Sequence, residues 1–390
     1  MTDVVLFGAT GFVGKLTAAY LATQGHHVGL AGRSKDKLEA VRRDLGPAAA
    51  DWPLIVADSS DVASIKALAS SAKAVATTVG PYAKYGLPLL EACARAGTHY
   101  ADLTGEVLFH REAIDRFHDV AVASGARVVP SCGFDSIPSD LAVLLLAEQV
   151  RADGEGELGE TVLVASLKGG VSGGTVDSLR TQVDAVKADP SLAALIADTQ
   201  SLSPGAPPEQ PDGFSVSQHD GTWTGPFVMA PYNTRVVRRS NALAGWSSGL
   251  RYTERMTFGR GLPGRLLATA AAGSLRLSEP AMGFGPSRFV LDALLPKPGK
   301  GPGERVRANG WFRMEVDTLT STGARYRAVV SAKGDPGYAA TAVMLAESAL
   351  CLAGDVLASG GGLLTPATAM GVTLADRLRK AGFTLEVTRC

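Results

Sequence analysis

Val4-Val5-Leu6-Phe7-Gly8-Ala9-Thr10-Gly11-Phe12-Val13-Gly14 is the stretch that decides the fold. The apolar run reads as a buried strand. Three glycines at G-x-x-G-x-x-G spacing follow, and then a helical pattern. A strand that turns tightly into a helix offers backbone N–H groups and a positive dipole end to a pyrophosphate. A Cβ at those glycines would block the turn or the close approach of the ligand. Glycine is abundant here, 45 of 390 residues, so the spacing alone says little. The strand before, the helix after and the strand–helix units downstream make it a dinucleotide-binding turn.

Working outward, Val13, Leu16, Thr17, Tyr20 and Leu21 recur at helical spacing, and Gly25 ends that helix. A second strand leaves through Gly32-Arg33-Ser34. NAD-binding versions of this fold carry an acid there for the ribose 2′-OH. An acid would repel a 2′-phosphate, whereas a guanidinium pairs with it. Arg33, with Ser34 and Lys37, therefore favours NADP(H); the plainer reading of Arg33 is a solvated charge at a strand end. Leu54 to Asp58 is a third strand, whose Asp58 is placed to meet an adenine or to cap a helix. Ala74 to Gly80 is a fourth, running into Pro81. The expected cofactor-binding set is Gly8, Ala9, Thr10, Gly11, Phe12, Val13, Gly14, Arg33, Ser34, Asp58, Thr78, Val79, Gly80 and Pro81. The alternation implies an α/β fold, a Rossmann-type doubly wound parallel sheet with right-handed crossovers.

Ligands in such sheets sit beyond the carboxyl ends of the strands. Three loops dense in chemistry fall at that edge: Gly80 to Gly86, Asp102 to Glu106, and Cys132 to Ser136. The nicotinamide and the substrate are expected there. Candidate proton donors are Tyr82, Tyr85 and Lys84, then Asp102 and Asp135. Each also has a structural reading, the tyrosines as loop anchors and the aspartates as caps. No tyrosine has a lysine four residues later, so the Tyr-x-x-x-Lys pair of short-chain dehydrogenases is absent. Cys132 is a conceivable nucleophile beside a nicotinamide, as in aldehyde oxidation, but with no histidine near it in sequence it reads as a packed thiol.

Composition shifts after Val150, and Arg151 to Glu160 reads as a boundary. The expected division is 1–137 with 336–390 as the nucleotide domain, and 138–335 as an inserted α+β domain with a mixed sheet for substrate or oligomerisation. Within the insert, Thr161 to Lys168, Ser248 to Thr257, Arg305 to Val316 and Ala324 to Ala332 favour strands. Gly169 to Thr175 reads as a hinge or tight turn, and Ser203 to Gly213 as an exposed Pro-rich loop. Leu262 to Leu277 reads as a core helix, or as one lying on lipid or lining an acyl groove. Pro336 to Ala353 is helical, a last helix ends at Lys380, and a strand at Phe383 to Val387 is expected to return to the first domain.

Formal net charge is zero, which gives no reason to expect a nucleic acid. The six histidines are scattered and no metal-ligand spacing is present. Cys93, Cys132, Cys351 and Cys390 fit reduced thiols in a cytoplasmic protein. The first residues enter a strand at once, and no apolar run suggests a spanning helix. Peripheral membrane contact stays open.

These pieces together resemble the saccharopine dehydrogenase-like oxidoreductases and, more narrowly, the trans-acting enoyl reductase group. The resemblance rests on GATGFVG (Gly8 to Gly14), AGRS (Ala31 to Ser34), TVGPYAKYG (Thr78 to Gly86), HYADLTGE (His99 to Glu106) and PSCGFDSIPSD (Pro130 to Asp140). It continues through SGGT (Ser172 to Thr175), DPGYAATA (Asp335 to Ala342) and LLTPATAMG (Leu363 to Gly371). It implies an NADPH-dependent reduction of an enoyl double bond on a polyketide or fatty-acyl intermediate; a carrier protein bearing the acyl chain and a homodimer are expected beside it. Saccharopine reductases proper instead join an amino acid to an aldehyde through an imine, and Arg235, Arg238 and Arg239 offer a cluster for such a multiply charged substrate. A cofactor-bound, lipid-associated scaffold is the third reading.

Overall fold

A computed structural model describes residues 2–169, 173–203, 215–283 and 301–390. Its strands are β1 (Thr2–Phe7), β2 (Val28–Gly32), β3 (Leu54–Val56), β4 (Ala72–Thr77), β5 (His99–Ala101), β6 (Arg127–Val129), β7 (Leu158–Lys168), β8 (Ser217–His219), β9 (Thr222–Pro226), β10 (Arg251–Gly259), β11 (Trp311–Thr320), β12 (Arg325–Lys333), β13 (Gly362–Leu363) and β14 (Thr384–Arg389). They form two seven-stranded sheets.

The first sheet runs β13-β6-β5-β4-β1-β2-β3, and every pair in it is parallel. Along β1 the side chains alternate between faces, so Val4 and Leu6 enter one hydrophobic cluster and Val5 and Phe7 the other. Burial on both faces is why β1 reads as an unbroken apolar run. Helix starts follow local chemistry. The Ser34 hydroxyl accepts from Lys37 N to cap Lys35–Leu45, and the Asp61 carboxylate accepts from Ala63 N to cap Val62–Ala69.

The second sheet runs β14-β12-β11-β7-β10-β9-β8. Only β7 and β10 pair in parallel; the other neighbours are antiparallel. The helix Ile137–Ala152 lies between the two layers, buried along most of its length. One cluster therefore runs from Val4 through Leu141 and Leu145 to Met314 and Leu385. The expected boundary at residue 137 falls at the first turn of this shared helix.

The C-terminal segment is divided between the layers. The helix Thr341–Gly354 and β13 belong to the first sheet's side, and Arg127 on β6 holds the connection between them through Ser359 and Leu357 carbonyls. The helix Pro336–Gly354 is long and apolar enough to cross a membrane, but 72% of its apolar window is buried inside the fold. β14, by contrast, pairs with β12 along Tyr326–Ser331. The strand expected to return to the first domain instead completes the second sheet, because Leu385 is needed against its buried face.

Other expectations shift locally. Arg305 to Val316 is not one strand: a short helix, Glu304–Ala308, precedes β11. Residues 204–214 of the Pro-rich stretch and 170–172 of the Gly-rich one lie outside the described residues; a helix starts at Gly173. The helix Gly261–Gly283 does not carry its first leucines into the core. Gly264, Ala268 and Ala272, four residues apart, let it settle on β9 and β10, while Leu262, Leu266 and Leu267 are 65%, 61% and 58% exposed.

Candidate active site at the edge of the first sheet

β1 pairs with β2 on one side and β4 on the other, so the strand order reverses there and opens a crevice at the carboxyl ends. Gly8 leaves β1 with φ +88°, and a Cβ there would lie 2.6 Å from Thr78 Oγ1. A Cβ on Gly14 would lie 2.1 Å from the Gly8 carbonyl oxygen. Gly11 N donates to that oxygen at 2.9 Å and Thr78 Oγ1 at 3.2 Å, closing the turn against β4. Phe12 and Val13 then open the helix Phe12–Thr23, whose first N–H groups have no intrahelical acceptor. Ala9 N is spent on the Ala31 carbonyl, while Thr10 is partly exposed beside the turn. This is a cradle that a side chain would fill, and it fits a dinucleotide pyrophosphate.

Arg33 stands exposed at the end of β2, next to the cap Ser34, and pairs with no carboxylate among the described residues. Asp58 lies beyond β3. Its carboxylate accepts from Ser60 N and Oγ at 2.9 and 2.8 Å. Those bonds, with a smaller share from nearby Arg33, hold it below the usual carboxylate range. An exposed guanidinium held in no ion pair at this point fits a 2′-phosphate. Thr78, Val79 and Gly80 line the exit of β4, followed by a cis peptide into Pro81.

The three chemically dense loops do come together, through carboxylates that bind main chain. Glu106 accepts from Tyr82 N and Ala83 N at 2.9 and 2.8 Å and from Ser178 Oγ at 2.7 Å. Asp102 Oδ1 accepts from Thr104 N and Ser131 N, both at 2.9 Å, and Oδ2 accepts from Tyr100 at 2.8 Å. Its burial raises it to about 6 despite those bonds. The Tyr82 hydroxyl donates to the Thr77 carbonyl and accepts from Leu103 N at 3.1 Å. Tyr82 and Asp102 therefore anchor loops, and neither has a polar atom left to face a substrate.

Tyr85 and Asp135 differ. Tyr85 is 44% exposed. Asp135 is partly exposed and takes no hydrogen bond from the described residues; its carboxyl sits beside Gly105, and burial pushes it up to about 6. Cys132 is fully buried, donates to the Val129 carbonyl, and has its thiol pushed up by burial.

Sequence reasoning missed one network. Ser131, just past β6, takes φ +68°, uncommon for a residue with a Cβ. Its hydroxyl lies 2.5 Å from that of Tyr232, on the helix Ala230–Ala244. The Tyr232 hydroxyl also lies 3.0 Å from His110 Nδ1. Burial pulls His110 down to about 3, so the ring is neutral, and its Nε2 has no partner among the described residues. Tyr232 comes from a segment with no motif; only its neighbour in space, the PSCGFDSIPSD stretch, was visible in the sequence.

The arginine cluster binds main chain. Arg235 donates to the Asp198, Pro231 and Ile196 carbonyls, Arg238 to the Tyr252 carbonyl, and Arg239 to the Leu202 and Leu363 carbonyls. All are buried and act as bolts between backbone segments.

Comparison with known proteins agrees with the geometry. Residues 4–129 match the saccharopine dehydrogenase NADP binding domain. A trans-acting enoyl reductase of Mycobacterium tuberculosis (strain ATCC 25618 / H37Rv) is 47% identical, over 99% of this chain and 98% of its own. One from Mycobacterium ulcerans (strain Agy99) is 44% identical over the same shares. The solved structure of saccharopine dehydrogenase (L-Glu forming) from Saccharomyces cerevisiae superposes with a TM-score of 0.57 at 14% identity, covering all of both chains, which shows the fold. The chain is an NADP(H)-dependent oxidoreductase of Rossmann type with a second mixed-sheet layer, and it belongs to the trans-acting enoyl reductase family.

Proposed function

We propose that this protein reduces the carbon–carbon double bond of an α,β-unsaturated acyl or polyketide thioester. The observation that carries the reading is the charge of the reactive edge. Asp102, Glu106 and Asp135 cluster there, and Arg235, Arg238 and Arg239 each donate to main-chain carbonyls. A site of that sign repels the several carboxylates of a saccharopine-type substrate and tolerates an uncharged acyl chain. The names of the relatives support the same chemistry.

Gly8 to Gly14 hold the pyrophosphate, Arg33 and Ser34 the 2′-phosphate, and Asp58 with Thr78 to Pro81 flank the adenosine and nicotinamide ends. NADPH, when bound, supplies the hydride for the β-carbon. Asp135 is the proton donor for the α-carbon, because its carboxyl takes no hydrogen bond from the described residues and burial pushes it up to about 6. Glu106 and Asp102 fix the loops that carry it, and Tyr82 locks those loops to β4. The test is NADPH consumption with two panels, enoyl thioesters of several lengths and amine–aldehyde pairs. Oxidation with the thioesters alone is expected; oxidation with the amine–aldehyde pairs alone would move the protein to imine reduction. Tight NADPH binding without turnover in both panels would favour a scaffold, unless adding the acyl chain on a carrier protein restored turnover.

A second reading concerns location. Leu262, Leu266 and Leu267 face outward beside exposed Arg260, Arg265 and Arg276, and no acidic residue occurs between Arg255 and Ser278. Basic residues flanking an exposed apolar stripe fit an anionic lipid surface. We infer a cytoplasmic enzyme that touches membrane through this helix.

A further inference from the structure

Phe12 is the first residue of the helix that follows the glycine-rich turn. Its ring points toward the connection that enters β11. Gly301 abuts it so closely that a Cβ there would sit 2.1 Å from the ring. Tyr338 meets the same ring edge-on, with centroids 5.1 Å apart. Arg307, on the helix Glu304–Ala308, holds its guanidinium 5.2 Å from the ring centroid. The connection is thus seated on the nucleotide turn.

Arg307 is partly buried, and one of its nitrogens donates to the Pro302 carbonyl at 2.6 Å. No carboxylate pairs with it among the described residues. Its own main chain is fixed, since the Arg307 carbonyl accepts from Asp335 N at 2.8 Å and from Gly310 N at 3.2 Å. A partly desolvated cation with fixed backbone, a stacking surface and no counter-charge is a poor arrangement unless an anion completes it. The two charged phosphates of the dinucleotide arrive at this same turn.

We propose that Arg307 is a cofactor-binding residue whose guanidinium, stacked on Phe12, pairs with the pyrophosphate of NADPH. This rests on the placement of the cofactor over Gly8 to Gly14 and adds a contact from the segment that leads into the second sheet. Arg33 and Arg307 then have separate targets. Arg33 reads the 2′-phosphate, which NADPH alone carries, and Arg307 reads the phosphates that NADPH and NADH share.

The experiment is equilibrium binding of NADPH, NADH and 2′-AMP to the full chain as wild type, R307Q, R307K, R33D and R305Q. R307Q is expected to raise the dissociation constants of NADPH and NADH by the same factor, about tenfold or more, as for a lost charge-assisted bond. R307K should recover part of that loss. 2′-AMP, which has no pyrophosphate, should bind R307Q as it binds wild type, and R305Q should match wild type for all three. Unchanged dinucleotide affinity in R307Q while R33D loses NADPH would overturn the assignment of Arg307 alone. Equal weakening of 2′-AMP and NADPH in R307Q would show damage to the fold and overturn it as well. If R33D lost neither ligand, the placement of the cofactor would fall, and this proposal with it.

Discussion

The hydroxyls of Ser131 and Tyr232 lie 2.5 Å apart and join the end of β6 to a helix that packs on the second sheet. Ser131 holds a left-handed backbone conformation, φ +68°, that costs on the order of 1–3 kcal/mol for a residue with a Cβ. Its main chain is held by Asp102 Oδ1 and its side chain by Tyr232. Tyr232→Phe keeps the ring packing and removes this tie. The expected result is kcat lowered about tenfold, with a loss of about 1–2 kcal/mol in stability. Combining it with Ser131→Gly, which relieves the backbone strain, should cost much less than the sum of the single effects. Additive losses across the cycle would show that the two hydroxyls are not coupled.

Asp135 must be protonated to donate. With its carboxyl pushed up to about 6 by burial, turnover should fall tenfold per pH unit above that value, down to a floor set by other donors. Asp135→Asn should lower kcat about 100-fold or more and flatten the limb. A pH–rate profile in saturating NADPH and substrate decides it. An unaltered limb in the variant would hand the role to another group, with exposed Tyr85 next in line.

Asp140 makes a different pH prediction. It is buried between three helices, accepts from Ser240 Oγ and from Ala367 N at 2.8 Å, and burial raises it to about 7. In the unfolded chain an aspartate titrates near 3.9. The folded state therefore binds this proton more tightly, so stability from this group is full below about 4 and declines as pH rises toward 7. Asp102 and Asp135, both near 6, act in the same direction. The melting temperature should fall between pH 5 and 8, and Asp140→Asn should reduce that slope. Asp140→Ala, which orphans a buried N–H, should cost about 2–4 kcal/mol at any pH in that range.

The outward leucines give a test that leaves the chemistry alone. Leu266→Glu together with Leu267→Glu should abolish co-flotation with vesicles containing anionic lipid and leave NADPH affinity and melting temperature close to wild type, since both side chains already face solvent. Flotation equal to wild type would remove lipid as the partner of this helix. Loss of a dimer in the same variants would reassign the face to a second copy of the chain.

Six strands of the first sheet were legible because short, largely apolar runs alternate with helical patterns, and Gly8 and Gly14 have backbone reasons to be glycine; β13, two residues long, was not. Arg33 was legible because position along the chain fixes position on the sheet edge. The rest depends on which distant groups meet. Nothing in the spacing distinguishes Tyr82, whose hydroxyl is used up by Thr77 and Leu103, from an available proton donor. Three arginines within five residues look like an anion site in sequence, yet a helix sends each of them to a different set of carbonyls. Tyr232 and His110 are separated by more than a hundred residues, and only packing brings them to Ser131.

The interleaving of β13 into the first sheet and β14 into the second also sets an order of events at the ribosome. While residues 362–389 are still unsynthesised, β6 and β12 each present an unpaired row of N–H and C=O groups. Both layers lack their outermost strand together, so the nascent chain cannot finish one and then begin the other. Shielding of those edges during translation, by a chaperone or by speed of the final folding step, becomes a requirement for soluble yield, and removal of β14 alone should shift the product from soluble protein to aggregate.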